Sequence, residues 1–198
     1  GVRAISNALT LPELEPRSRW LHTLVGAGRQ RRARTEQLAA RVASAADAAA
    51  VLADHGAAAE PRFNRLRGAM QAPCMHAGGW LAAAQTTASW ISELGDAGDR
   101  HWATGTSAPC LGLFRPLTFN RPRDTGRPVG SPDPNSLWWR FELLHRHAMR
   151  DRAALPPSFH ADRQRTQQAI FEDPAAGWEY AEDWLGRWES FARTERPD

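Results

Sequence analysis

Cys74-Met75-His76 places a thiol and an imidazole two residues apart. On a strand, that spacing puts both side chains on one face, where a histidine could take the proton of a cysteine nucleophile. A third group that would orient the imidazole is not apparent in the neighbouring sequence. A buried structural cysteine beside a histidine on a threonine-rich sheet is therefore the plainer reading. Cys74, His76, His101 and Cys110 are the residue types a zinc site uses, but all four would have to converge from separate strands. The chain shows no Ser–His–Asp order, nucleophile-elbow sequence, phosphate loop or dinucleotide fingerprint.

The other candidate positions are aromatic or hydroxylic. Trp80 follows Gly78-Gly79 in what should be a loop between strands, where an indole can line a pocket. Thr86 and Thr87, within Gln85-Thr86-Thr87-Ala88-Ser89, and the run Thr104 to Cys110 gather small hydroxyl residues. Hydroxyls and glycine let a ligand approach the backbone closely, although threonine is also simply a good strand former. Of the nine tryptophans, Trp184 and Trp188 stand at i, i+4 on an apolar helix face and are expected to pack a core. His145 and His147 flank Arg146 and are expected on a solvated surface.

Composition limits the classes of function. The 198 residues are 42% hydrophobic, enough to bury a core, and carry 25 basic against 22 acidic residues, a formal charge of +3. There is no lysine, so every one of those basic residues is arginine. Acidic residues are interspersed nearly everywhere, and the one dense basic stretch is Arg29 to Arg34, so no nucleic-acid partner is expected. Two cysteines build neither a disulfide scaffold nor a four-cysteine zinc site, and a reducing cytoplasm is the simplest compartment. No apolar run approaches the roughly 20 residues that span a bilayer, so no membrane partner is expected. Beginning at Gly1 without a methionine, the chain reads as part of something longer.

These residues must be positioned by elements legible from periodicity and turn chemistry. A strand is expected over 2–11, ended by Pro12 and Pro16, and a helical region over 18–56. Within that region Gly26, Gly28 and the basic run form a polar connection, and Thr35 to Asp54 makes one alanine-rich helix closed by His55-Gly56. Strands are expected between 73 and 117, at Pro73 to Ala77, Gln85 to Leu94, His101 to Thr104 and Cys110 to Arg115, forming an antiparallel sheet. Gly95 to Asp99 is a turn between neighbours. A surface loop should occupy 120–134, and a helix should run 134–150 from an Asp133 cap, with Leu137, Phe141, Leu144 and Ala148 on one stripe. Helical pieces within 161–193 are divided at Asp173-Pro174, and Ala181, Trp184, Leu185, Trp188 and Phe191 line one face of the later piece. By this reading the chain is a single α+β portion of a domain.

Several ordered segments carry a family likeness. They are Ala4 to Thr10, Cys74-Met75-His76-Ala77-Gly78-Gly79, Gln85 to Ser89, His101 to Cys110 with Leu113-Phe114-Arg115-Pro116, and Ser136-Leu137-Trp138-Trp139-Arg140. In this order they resemble the C-terminal half of secernins, which belong with the dipeptidase A type of cysteine peptidases. The likeness runs from Ile5 to about Arg150, and the last 48 residues add only helices compatible with it.

The resemblance implies half of a four-layer αββα N-terminal-nucleophile hydrolase sandwich with antiparallel sheets. It also implies a cysteine nucleophile at a processed N-terminus, whose own α-amine, with a pKa near about 8, acts as base. Gly1 is not such a residue and both cysteines are internal, so the nucleophile is expected in an N-terminal half carried by the same chain or a companion subunit. Asn7 matches the family's Ile-Ser-Asn strand and is implied as the oxyanion donor. His76, Trp80, Thr86 and Thr87 are implied as pocket residues. The implied function is amide-bond hydrolysis of a small peptide or amide, with no cofactor or metal and with the chain alone inactive. Acyl transfer on the same fold and a non-catalytic secernin-like interaction protein are the alternatives. Without its companion strands the chain is expected to self-associate, including as a homo-oligomer.

Overall fold

The computed structural model describes residues 1–7, 13–17, 24–57, 66, 68–77, 79–80, 84–96, 98–120, 123, 130–150 and 155–194. They form a mixed α+β chain with five α-helices and a three-stranded antiparallel sheet. The chain divides into two compact units, Gly1–Thr86 and Thr87–Asp198.

In the first unit, residues 2–7 of the expected 2–11 strand run without a ladder, and 8–11 lie outside the described residues. A lone extended segment gains no inter-strand hydrogen bonds, and Ile5 stands 94% exposed. A single 3-10 turn follows at Glu15–Arg17. Helix α1 spans Gly28–Ala39 and helix α2 spans Ala45–Leu52. Two expectations change here. The arginine run is not a polar connection but the opening of α1, where arginine's good helix propensity suits it.

The alanine-rich stretch is also not one helix, because a capping box breaks it. The Ser44 Oγ accepts from the Asp47 amide at 3.2 Å, while the Asp47 carboxylate accepts from the Ala43 amide at 3.0 Å. Reciprocal caps outweigh the propensity of the alanines, and the Ala43 amide and the Ser44 hydroxyl, both donating to the Asp47 carboxylate, lower its pKa.

The second unit holds strands β1 (Trp90–Glu93), β2 (Arg100–Ala103) and β3 (Arg115–Leu117) in the order β1-β2-β3. Ile91 pairs with Trp102 on the buried face, and Trp90 pairs with Ala103. On the other face Trp90, His101 and Phe119 gather, with His101 ring centroids 5.7 Å from Trp90 and 5.0 Å from Phe119.

The strands are shorter than expected, both before β1, where Gln85 to Ser89 form no strand, and in the segment between β2 and β3. Cys110 to Phe114 forms no strand, since Ala108 adopts a φ of 41° and both Leu111 and Gly112 donate back to its carbonyl. Pro109 has no amide to offer a ladder. Pro73 to Ala77 likewise contributes only one isolated bridge, Ala69 to His76.

Helix α3 spans Leu137–Arg150, α4 spans Pro157–Glu172 and α5 spans Gly177–Thr194. The start of α3 falls later than the expected Asp133 cap. Asp133 instead makes an Asx turn onto the Asn135 amide at 2.8 Å, and the Ser136 Oγ accepts from the Trp139 amide at 3.5 Å. Asp173 and Pro174 separate α4 from α5, and Gly177 lets α5 approach β3 closely. A Cβ there would meet Pro116 Cδ at 2.9 Å.

Leu144, Phe159, Ile170, Trp184 and Leu185 are the centre of this unit's core, with Trp188 packed against it. Arg140 ties α3 to α5 through Glu182 at 2.6 Å and Glu189 at 3.0 Å. No described helix is long and apolar enough to cross a membrane.

His145 is buried, against its expected place on a solvated surface. The reason is Glu142, one turn earlier and 3.3 Å from His145 Nδ1. Burial pushes the Glu142 carboxyl up, but hydrogen bonds from His145, Ser107 and Arg146 outweigh it and hold the pKa down to about 2. A carboxylate held below its unfolded value stabilises the fold fully above about pH 4.5, and that contribution drains away as pH falls toward 2. The free energy that follows from this depression is roughly 3 kcal/mol. Glu142→Gln should destabilise the protein at neutral pH and flatten its loss of stability between about pH 5 and 2. Denaturant melts across that range, on the variant and the parent, would show it.

Candidate functional site

Asn7 ends the described part of the N-terminal segment and is exposed. Its side-chain oxygen accepts from Arg31 Nη2 and, at 3.4 Å, from the Ser6 hydroxyl. Arg31 is buried on α1, and its Nη1 also donates to the carbonyls of Gly26 and Met70. A guanidinium carries donors only, so the Asn7 atom facing it must be Oδ1. That assignment leaves the Asn7 Nδ2, with its two N–H groups, turned away from Arg31. Burial lowers the Arg31 pKa, although a guanidinium stays charged at neutral pH.

A second cluster in the first unit forms around His76. Its Nε2 lies 3.4 Å from Cys74 Sγ and 3.2 Å from His55 Nε2, and the ligating atoms of the three residues all lie within 4.8 Å of one another. The two imidazole rings are tilted by 55° with centroids 5.1 Å apart. Cys74 and His76 are completely buried, and His55 is half-buried.

Both chain segments that carry these side chains are pinned by hydrogen bonds. Beyond α2, Asp54 receives Arg34 Nε at 2.9 Å and Nη2 at 2.8 Å, and the Arg34 Nη2 also reaches the Gly56 carbonyl. The bond to Asp54 raises the Arg34 pKa. Gly56, at φ 92°, turns the chain just past His55 in a conformation that only glycine takes without strain. The Asp54 carbonyl accepts the Cys74 amide at 3.1 Å, which joins the two segments directly. On its other side, the 74–76 segment is bridged to Ala69 and tied to Thr86.

The remaining sequence candidates fall in different surroundings. The Thr86 hydroxyl accepts from the Met75 amide at 3.0 Å, so it anchors the cysteine–histidine segment. Thr87 and Trp80 are exposed, Trp80 by 89%. His101 belongs to β2, where its Nδ1 lies 2.9 Å from the Ser92 hydroxyl, and Cys110 follows β2 in the chain.

Two residues of these sites were missed in the sequence, Arg31 and His55. Arg31 was hidden in an arginine run that reads as solvent-facing. Its spacing of three from Arg34 is the signal that both share one helix face. His55 carries no signal of its own beyond its place beside Gly56 at a helix end.

Compared with family models, curated proteins and solved structures, the chain matches none.

Arg31→Met keeps the stem volume but strips donors from two backbone carbonyls and from Asn7. It should lower unfolding free energy by about 2–4 kcal/mol, the range expected when buried hydrogen-bonded charge partners are lost. Equilibrium urea unfolding measures this, and an unchanged midpoint would mean that the Arg31 contacts do not hold the first unit.

Proposed function

We propose that the chain is the C-terminal portion of a secernin-like amide-bond hydrolase of dipeptidase type, in which Asn7 stabilises the oxyanion. The orientation of the Asn7 carboxamide carries this reading. Arg31 holds its oxygen, so its N–H groups face away as donors, which is what a developing negative charge on a carbonyl oxygen requires. The ordered motifs from Ile5 to Arg150 support the family. The exposed Trp90, Phe119 and Ile5 are consistent with further strands covering this chain in the complete enzyme.

In the proposed reaction an N-terminal cysteine from the companion half gives its thiol proton to its own α-amine. The thiolate then attacks the substrate carbonyl carbon, and the carbonyl π electrons move onto oxygen, where Asn7 Nδ2 donates. Collapse of the tetrahedral intermediate expels the amine, which takes the proton from the α-ammonium, and water cleaves the acyl-enzyme in the second half. An amine in place of that water would make the same site an acyltransferase. Cys74 and Cys110 each have a peptide nitrogen where this mechanism needs a free amine, so neither serves as both nucleophile and base.

In the reconstituted enzyme, Asn7→Ala should lower kcat on a dipeptide or small amide by about 100- to 1,000-fold with little change in KM, the signature of a lost oxyanion donor. Full turnover in a folded Asn7→Ala enzyme would assign Asn7 to structure. Absence of any amide hydrolysis by the parent would favour the non-catalytic interaction protein.

The same reading predicts that the isolated chain self-associates through uncovered strand edges and apolar surface. Sedimentation together with denaturant unfolding tests it, and a monomer with one cooperative transition would count against a companion half.

A further inference from the structure

We propose that His55, Cys74 and His76 form a binding site for a divalent transition metal of the zinc class, independent of the hydrolytic chemistry above. The donor set is one thiolate and two imidazoles, the ligands that borderline-soft metals such as zinc favour. The spacing fits as well. With metal–nitrogen bonds of about 2.05 Å and a metal–sulfur bond of about 2.3 Å, tetrahedral geometry separates two nitrogens by roughly 3.3 Å and nitrogen from sulfur by roughly 3.6 Å. The observed separations are 3.2 Å between the two Nε2 atoms and 3.4 Å between His76 Nε2 and Cys74 Sγ.

Hydrogen bonding alone explains the cluster less well. His76 Nε2 carries either one lone pair or one proton, yet both His55 Nε2 and Cys74 Sγ converge on it. A cation accepts a lone pair from all three atoms at once.

The supporting frame is already in place before any ion arrives. The Arg34–Asp54 pair and Gly56 fix the His55 segment, the bridge to Ala69 and the Thr86 hydroxyl fix residues 74–76, and the Cys74 amide on the Asp54 carbonyl sets their separation. Binding would convert the Cys74 thiol to a thiolate and release that proton to solvent. Both imidazoles would bind as neutral rings through Nε2, with their protons on Nδ1. Three protein ligands leave a fourth position for water or another donor.

The test is titration of the full chain with cobalt(II) as a spectroscopic stand-in for zinc, followed by competition with zinc. One cobalt per chain should bind, with a thiolate-to-cobalt charge-transfer band, tetrahedral visible absorption, proton release and displacement by zinc. Cys74→Ser should abolish the charge-transfer band, and His55→Gln should weaken binding by on the order of 100-fold. Because Cys74 is fully buried, its replacement could prevent folding. Two measurements avoid that difficulty, namely His55→Gln at a half-buried position and mass mapping of Cys74 alkylation in the parent protein, which zinc should suppress and a chelator restore. Sub-stoichiometric cobalt, a spectrum without thiolate character, a charge-transfer band that survives in folded Cys74→Ser, or zinc-insensitive alkylation of Cys74 would overturn the assignment.

Discussion

Buried backbone outside regular structure must still find hydrogen-bond partners, and that constraint governs both units. The segment from Thr104 to Phe114 is nearly all buried, yet no ladder runs through it. Side chains replace the ladder. The Gln167 amide grips Phe114 at both ends, accepting its N–H at 2.7 Å and donating to its carbonyl at 3.0 Å. Arg163 reaches the carbonyls of Pro109 and Gly112, and the Thr104 hydroxyl accepts the Ser89 amide. Arg115 donates to the Thr104 carbonyl between the rings of Phe141 and Trp178. Burial pulls its pKa down to about 10, which still leaves it charged at neutral pH.

The first unit meets the same constraint with fewer residues, and there the solution shapes the candidate sites. Arg31 satisfies the carbonyls of Gly26 and Met70, and its remaining reach fixes Asn7. Orientation of the Asn7 amide is thus tied to a contact that the loops need in any case. Asp54 works in the same way. Its side chain answers Arg34 while its main-chain carbonyl holds Cys74, so the distance between His55 and the 74–76 segment is set by backbone satisfaction.

What could be read in advance follows the range over which each signal acts. The apolar stripes of α3 and α5 were legible because Phe141, Leu144, Ala181, Trp184 and Leu185 repeat within a turn or two, and all are buried. The turn at Gly95 to Gly98 was legible from local residue chemistry, and the Gly98 amide closes it on the Gly95 carbonyl at 2.9 Å. Strand extents were not, since Ala108 at positive φ announces itself by no residue type. The split between α1 and α2 was recoverable from Ser44 and Asp47 but was masked by the surrounding alanines. Cys74 and His76 stood out as a pair in the sequence. Their meeting with His55, 21 residues upstream of His76, depends on the Asp54 carbonyl, which no sequence pattern marks.

The two candidate sites ask different things of the same unit. An oxyanion donor must present free N–H groups to a substrate, and Asn7 is exposed with its oxygen already occupied. A metal cluster must instead exclude competing water while its ligands are held together, and Cys74 and His76 are completely buried. Complete burial of Cys74 also keeps a substrate carbonyl from its sulfur, which opposes its use as an attacking group. In the proposed scheme Cys74 is therefore a ligand, and attack belongs to a cysteine that carries its own amine.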